Sequence, residues 1–199
     1  MVISILRCGN IYFMIEIILA MAAAPARFLL GLKLEPQFND PLLSTSFQDF
    51  WSRWNIMATN VLHPAVYDPV LHFSTKLLGR RRWAPLPAVF AAFVVSGLMH
   101  ELIFYYLSRL RPTGMVSAFF ILHGGCLMVE LCLKKVFKGR WQLPPLISTP
   151  LVVGFMMFTA IWLLIPQLIR GHVDVRVFEE YAALGAFVKD FGRALKIIV

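Results

Sequence analysis

An all-α, polytopic membrane protein is the fold class this sequence predicts, and three observations lead there. Only 15% of its 199 residues are charged while 59% are hydrophobic, with a mean hydropathy of +0.71, whereas soluble domains carry roughly 25% charge. Four apolar segments, at about 11–33, 86–108, 115–134 and 147–169, are each long enough to cross a bilayer, which takes about 20 residues. A further helix at about 47–62 is apolar over more than half its circumference, so it belongs in the membrane interface or dips into the membrane. The expectation is one membrane domain over residues 1–199, with about four transmembrane helices and one re-entrant or interfacial helix.

Taken in order, the first segment contains Glu16, Pro25 and Arg27, yet runs on too long for a cleaved signal peptide and reads as a spanning segment. The polar stretch 34–85 follows. Ser46 with Asp49 three residues on resembles a capping box, with Thr45 or Ser44 as rival caps, and the helix opened there stops before Pro64. Along that helix Phe50, Trp54, Met57 and Val61 form one apolar stripe. Trp51, Asn55, Thr59 and Leu62 form a second, and Asp49 and Arg53 make an i,i+4 pair. The short basic loop RLRPTG (109–114) joins the second and third segments into a hairpin. KKVFKGRWQLPP (134–145) leads to the fourth segment, and a tail helix at about 174–195 lies on the membrane surface. Lysine and arginine favour a cytosolic position for 34–85 and 134–146.

A net charge of +8 invites a nucleic-acid reading, but the bases flank the apolar segments and no nucleic-acid motif is present. Anionic head groups, or a phosphate-bearing molecule such as coenzyme A, fit better. Cys8, Cys126 and Cys132 have no metal or redox spacing and read as small buried hydrophobes, so neither a metal site nor a bound cofactor is expected.

His100 and Glu101 are ionisable groups within an apolar segment, where such groups mark a functional site. His100 lies about 8 residues before the hairpin turn and His123 about 8 after it, so both sit roughly 12 Å below one surface. The two imidazoles can share a cavity, or His123, followed by Gly124 and Gly125, can serve as a helix–helix hydrogen-bond partner. Ser96, one turn before His100, stands as a supporting residue or as simple packing. Glu101 points about 100° away and suits a polar contact between helices. Asn55 is an amide among aromatic neighbours, and a buried amide must be hydrogen-bonded. Placing it beside His100 requires the 47–62 helix to dip roughly 18 Å into a ~30 Å core. Trp54 beside it is a further supporting candidate. Arg80, Arg81 and Arg82 can hold coenzyme A phosphates or simply flank the membrane.

The stretches LEPQFNDPLLSTSFQDFWSRWNIM, HPAVYDPV, VVSGLMHELIFYY and FFILHGG, in that order, resemble the plant wax-synthase branch of the membrane-bound O-acyltransferase superfamily. The resemblance covers nearly the whole chain. It implies acyl-CoA as co-substrate, a long-chain alcohol as acceptor, the endoplasmic reticulum as location, and a signature pair corresponding to Asn55 and His100. His100 would then act as general base on the alcohol. Asn55 would donate a hydrogen bond to the thioester carbonyl or orient the histidine. Transfer to a sterol or glyceride is the alternative within that chemistry, and a truncated, inactive membrane protein is the alternative outside it. Two departures stand out. The family pattern FW-x-R-R-W-N is one residue short here, as FWSRWN, and family members carry more helices ahead of this region. A partial family fold is therefore expected, and a homo-oligomer is compatible with it.

Overall fold

A computed structural model describes residues 38–54, 56–79, 83–137 and 144–171, with scattered positions between 182 and 193. The 11–33 segment, Asn55, Arg80 to Arg82 and most of the tail helix lie outside the described residues. The described residues are helical, with no strand among them, and build an integral membrane protein.

Helix α1 (Phe47–Trp54) starts where Ser46 Oγ accepts the Asp49 N–H at 3.1 Å, one of the donors that a first helical turn leaves unpaired. The Asp49 carboxylate turns back to the Thr45 N–H at 3.2 Å and pairs with Arg53 at 2.6 Å. Helix α2 (Ile56–Leu62) ends before Pro64, as expected, but the chain does not unwind there. His63–Tyr67 form a π-helical turn that leads directly into α3 (Asp68–Leu78). Proline lacks the N–H that would continue the α ladder, and the wider turn absorbs the missing bond. Gly79, at φ 56°, then ends α3 in the left-handed conformation that glycine adopts without steric cost.

Three long helices follow. They are α4 (Pro85–Ser108), α5 (Met115–Val136) and the composite span Pro145–Arg170. The last consists of α6 (Pro145–Thr159), a π-helical turn over Ala160–Leu164, and α7 (Ile165–Arg170). Each matches an apolar segment read from the sequence to within a few residues. The spans α4 and α5 form the expected hairpin, turning through Arg109 and Gly114 at positive φ.

The hairpin is packed closely at two glycines. A Cβ on Gly124 of α5 would stand 2.7 Å from Phe93 Cβ, and one on Gly97 of α4 would stand 3.2 Å from Phe120 Cβ. Each helix thus gives up a side chain where the other inserts a ring. In lipid, where apolar tails compete equally for apolar surface, such close packing is what associates helices.

Helix α1 is inserted between the spans. Phe47 lies at the level of Glu130, whereas Trp51 packs on Phe119 and Phe120, nearer the start of α5. The helix therefore descends from the Val136 end of α5 towards the Met115 end. Its other face seats Phe50 against Val152 and Met156 of α6. A core of Val116, Phe119, Phe120 and Leu163 closes the far end.

Candidate functional site

The dip of α1 borders a half-open cavity of about 230 Å³ between α1, α2 and the π turn on one side and the hairpin on the other. Trp51, Phe93 and Phe120 form an aromatic wall, with Trp51 and Phe93 at a ring separation of 5.0 Å. Ala58, Val89 and Ala92 make the lining apolar and narrow, while Ser96 and His100 bring polar atoms to it. Ligand sites commonly combine such an apolar lining with a few polar groups.

His100 reaches the cavity from α4, its ring 4.3 Å from that of Phe120. Its Nδ1 lies 2.8 Å from the Ser96 carbonyl oxygen, one turn earlier on the same helix. A carbonyl only accepts, so this contact requires the proton on Nδ1. Neutral imidazole then carries its lone pair on Nε2, the other ring nitrogen. Ser96 Oγ stands farther off, at 3.5 Å. The tautomer is therefore fixed by the main chain of α4.

His123 sits elsewhere. It is completely buried behind Phe119 and Phe120, with the Phe119 ring 4.1 Å away, and it does not line the cavity. The Thr159 hydroxyl of α6 lies 2.8 Å from the Phe155 carbonyl and 3.0 Å from that of Met156. The same hydroxyl stands 3.0 Å from His123 Nε2, a hydrogen bond whose direction follows the imidazole tautomer. At matching depth, His123 ties two spans together rather than sharing a cavity with His100. His123 Nδ1 and the Trp51 Nε1–H, in rings 5.6 Å apart, are both buried without a hydrogen-bond partner among the described residues.

Glu101 points away from the cavity and caps α5. Its carboxylate accepts the N–H groups of Thr113 (3.0 Å), Gly114 (2.8 Å) and Ser117 (2.9 Å). A negative charge at a helix start also meets the positive end of the helix dipole. Trp54 lines the cavity, stacked on Phe50 at 5.2 Å. Asn55 and Arg80 to Arg82 lie outside the described residues, though Trp54 and Ala58 on either side of Asn55 both line the cavity.

Sequence reasoning missed a second polar corner of the cavity, formed by His63 and Tyr67. Their rings are 4.5 Å apart, and His63 Nδ1 lies 3.3 Å from Asp68. Burial and the charge of Asp68 push the Tyr67 phenol above its ordinary value, so it stays protonated. The spacing HPAVYD was visible, but Pro64 argued for a break, and only a π turn brings these three onto one side. Among the described residues no cluster of histidine, cysteine and carboxylate side chains is arranged to hold a metal.

The sequence profile of the membrane-bound O-acyl transferase family matches residues 34–122. The chain is 47% identical over 195 residues to acyl-CoA–sterol O-acyltransferase 1 of Arabidopsis thaliana, covering 98% of this chain and 56% of that protein. It is also 47% identical over 184 residues to the long-chain-alcohol O-fatty-acyltransferase of Simmondsia chinensis, covering 92% of this chain and 52% of that protein. A probable long-chain-alcohol O-fatty-acyltransferase 6 of Arabidopsis thaliana is 41% identical over 193 residues, 96% of this chain and 54% of that protein. The chain thus spans about half the length of the curated relatives it matches. No solved structure matches it.

Proposed function

We propose, from the premise that this chain belongs to the membrane-bound O-acyl transferase family, that it carries the reacting half of an acyl-CoA:long-chain-alcohol O-acyltransferase. The observation that supports this reading best is His100: its Nδ1–H is held by a main-chain carbonyl, and the ring stands in an aromatic cavity at membrane depth. In the proposed reaction the alcohol hydroxyl gives its proton to His100 Nε2 as its oxygen attacks the thioester carbonyl carbon. The tetrahedral intermediate collapses, the C–S bond breaks, and the imidazolium returns the proton to the departing coenzyme A thiolate. The products are a wax ester and free coenzyme A. Positioned proton transfer of this kind is worth typically 10²–10⁴-fold, and no acyl-enzyme is needed because the thioester is already activated. Asn55 would donate a hydrogen bond to the carbonyl oxygen as charge develops on it. The aromatic wall of Trp51, Phe93 and Phe120 would limit the water that can compete as acceptor. The endoplasmic reticulum is the proposed membrane.

A sterol acceptor is the second reading, favoured by the 47% identity to a protein named as a sterol acyltransferase. The test is expression in cells lacking neutral-lipid synthesis, fed either fatty alcohols or sterols, with the esters identified. Wax ester from the intact chain and none from His100→Ala, with both in the membrane fraction, is the expected result. Asn55→Ala is expected to lower the rate less completely. Equal turnover in His100→Ala removes the base assignment. A membrane-inserted chain that makes no ester from either acceptor is the inactive protein of the alternative reading.

A further inference from the structure

Glu130, on α5, takes no part in the chemistry above. Its side chain is 17% exposed and is directed at the start of α1. One carboxylate oxygen accepts the Phe47 N–H at 2.7 Å, and the other lies 2.6 Å from Lys134 Nζ. Lys134 continues to Gln48 Oε1 at 3.1 Å and to Ser46 Oγ at 3.5 Å. A carboxylate from one helix thus takes up a donor that the first turn of another leaves open, at the end where the dipole favours negative charge. Lys134 offsets the cost of holding that charge away from water. One helical turn onward from Phe47, α1 places Trp51 in the cavity wall, against Phe93 and Phe120.

We propose that Glu130, paired with Lys134, is the anchor that keeps the inserted helix in register with His100. It is a positioning residue for the reaction, acting through α1 without touching substrate. The kinetic part of this inference rests on the acyl-transfer reading, whereas the docking part does not.

The test therefore carries two readouts. The first is labelling by a water-soluble maleimide at Ser44→Cys, a completely buried position just ahead of α1, in a chain whose Cys8, Cys126 and Cys132 are replaced by alanine. The second is kcat and KM for ester formation in membranes. Glu130→Leu, an apolar replacement that lipid tolerates, is expected to speed labelling by roughly 10-fold or more, because a hydrogen bond to a charged group is lost. kcat should fall in parallel, with KM changed less than about threefold. Glu130→Gln, whose amide oxygen still accepts the Phe47 N–H but offers Lys134 no charge, should fall between the parent and Glu130→Leu in both readouts. Lys134→Met should fall between the two. Labelling that is unchanged in Glu130→Leu overturns the proposal, as does a loss in Glu130→Gln equal to that in Glu130→Leu. If labelling responds as expected and no variant or parent makes ester, the anchor stands and the acyl-transfer reading falls.

Discussion

At the scale of single residues, His100 owes its tautomer to a main-chain atom, since the Ser96 carbonyl holds its Nδ1–H at 2.8 Å while the Ser96 hydroxyl stays 3.5 Å away. A carbonyl survives side-chain replacement, so Ser96→Ala is expected to keep kcat/KM within about threefold of the parent. A loss of 100-fold would show instead that the hydroxyl orients the ring. His100 itself was legible in the sequence because an ionisable group in an apolar run is costly. The polar contact between helices expected of Glu101 was legible too, but its partners and the function of Glu130 were not, because each carboxylate takes N–H groups from distant residues, 12 to 16 positions away for Glu101 and 83 away for Glu130. No local pattern signals a helix capped by a different helix. The separation of His123 from the cavity was equally hidden: spacing fixes depth along a helix, but it does not say which neighbour a ring turns towards.

At the scale of elements, the three described spans and the inserted helix were readable because their apolar periodicity and length are strong signals. The continuation through Pro64 was not, since proline marks a probable boundary and a π turn leaves no distinct sequence trace. Helix α1 also responds to pH. Partial burial pushes the Asp49 carboxyl up, but hydrogen bonds from Arg53 and the Thr45 N–H, with the charges of Arg53 and Lys134, outweigh it and hold the group below its usual range. A depressed folded-state value means stability that is present above the unfolded value of about 3.9 and is lost as pH falls through the folded one. Asp49→Asn should therefore lower the melting temperature in detergent at pH 7, by an amount worth less than about 1 kcal/mol. The gap between variant and parent should close as pH drops below about 3.9; a gap that persists there would exclude the carboxylate as its source. The hairpin offers a second check. Gly124→Val must displace Phe93, whose Cβ lies 2.7 Å from the position a Cβ would take, and overpacking of this sort costs typically 1–3 kcal/mol. Since Phe93 is cavity wall, the expected result is a lower melting temperature together with a preference for shorter alcohols. An unchanged chain-length profile would mean the wall had not moved.

At the scale of the whole molecule, the outward faces of the spans remain apolar, with Leu98, Leu102 and Ile103 of α4 and Leu151, Phe158 and Trp162 of the last span all well exposed. Leu102→Arg should reduce membrane integration, because a charge at such depth costs about 2.5–3.5 kcal/mol on insertion scales. Neutrality would show that this face meets water instead. The fold class was legible from composition and from the length and pattern of the apolar segments, whereas the cavity was not, because one of its walls is a segment remote in sequence from the hairpin. The hairpin, clipped shut by Glu101, depends on neighbours close in sequence, while the cavity beside His100 depends on α1, a helix remote in sequence that Glu130 meets at its first turn and that Phe50 and Trp51 seat against the spans. A lesion in that helix is expected to leave the hairpin embedded while taking away one wall of the cavity at His100.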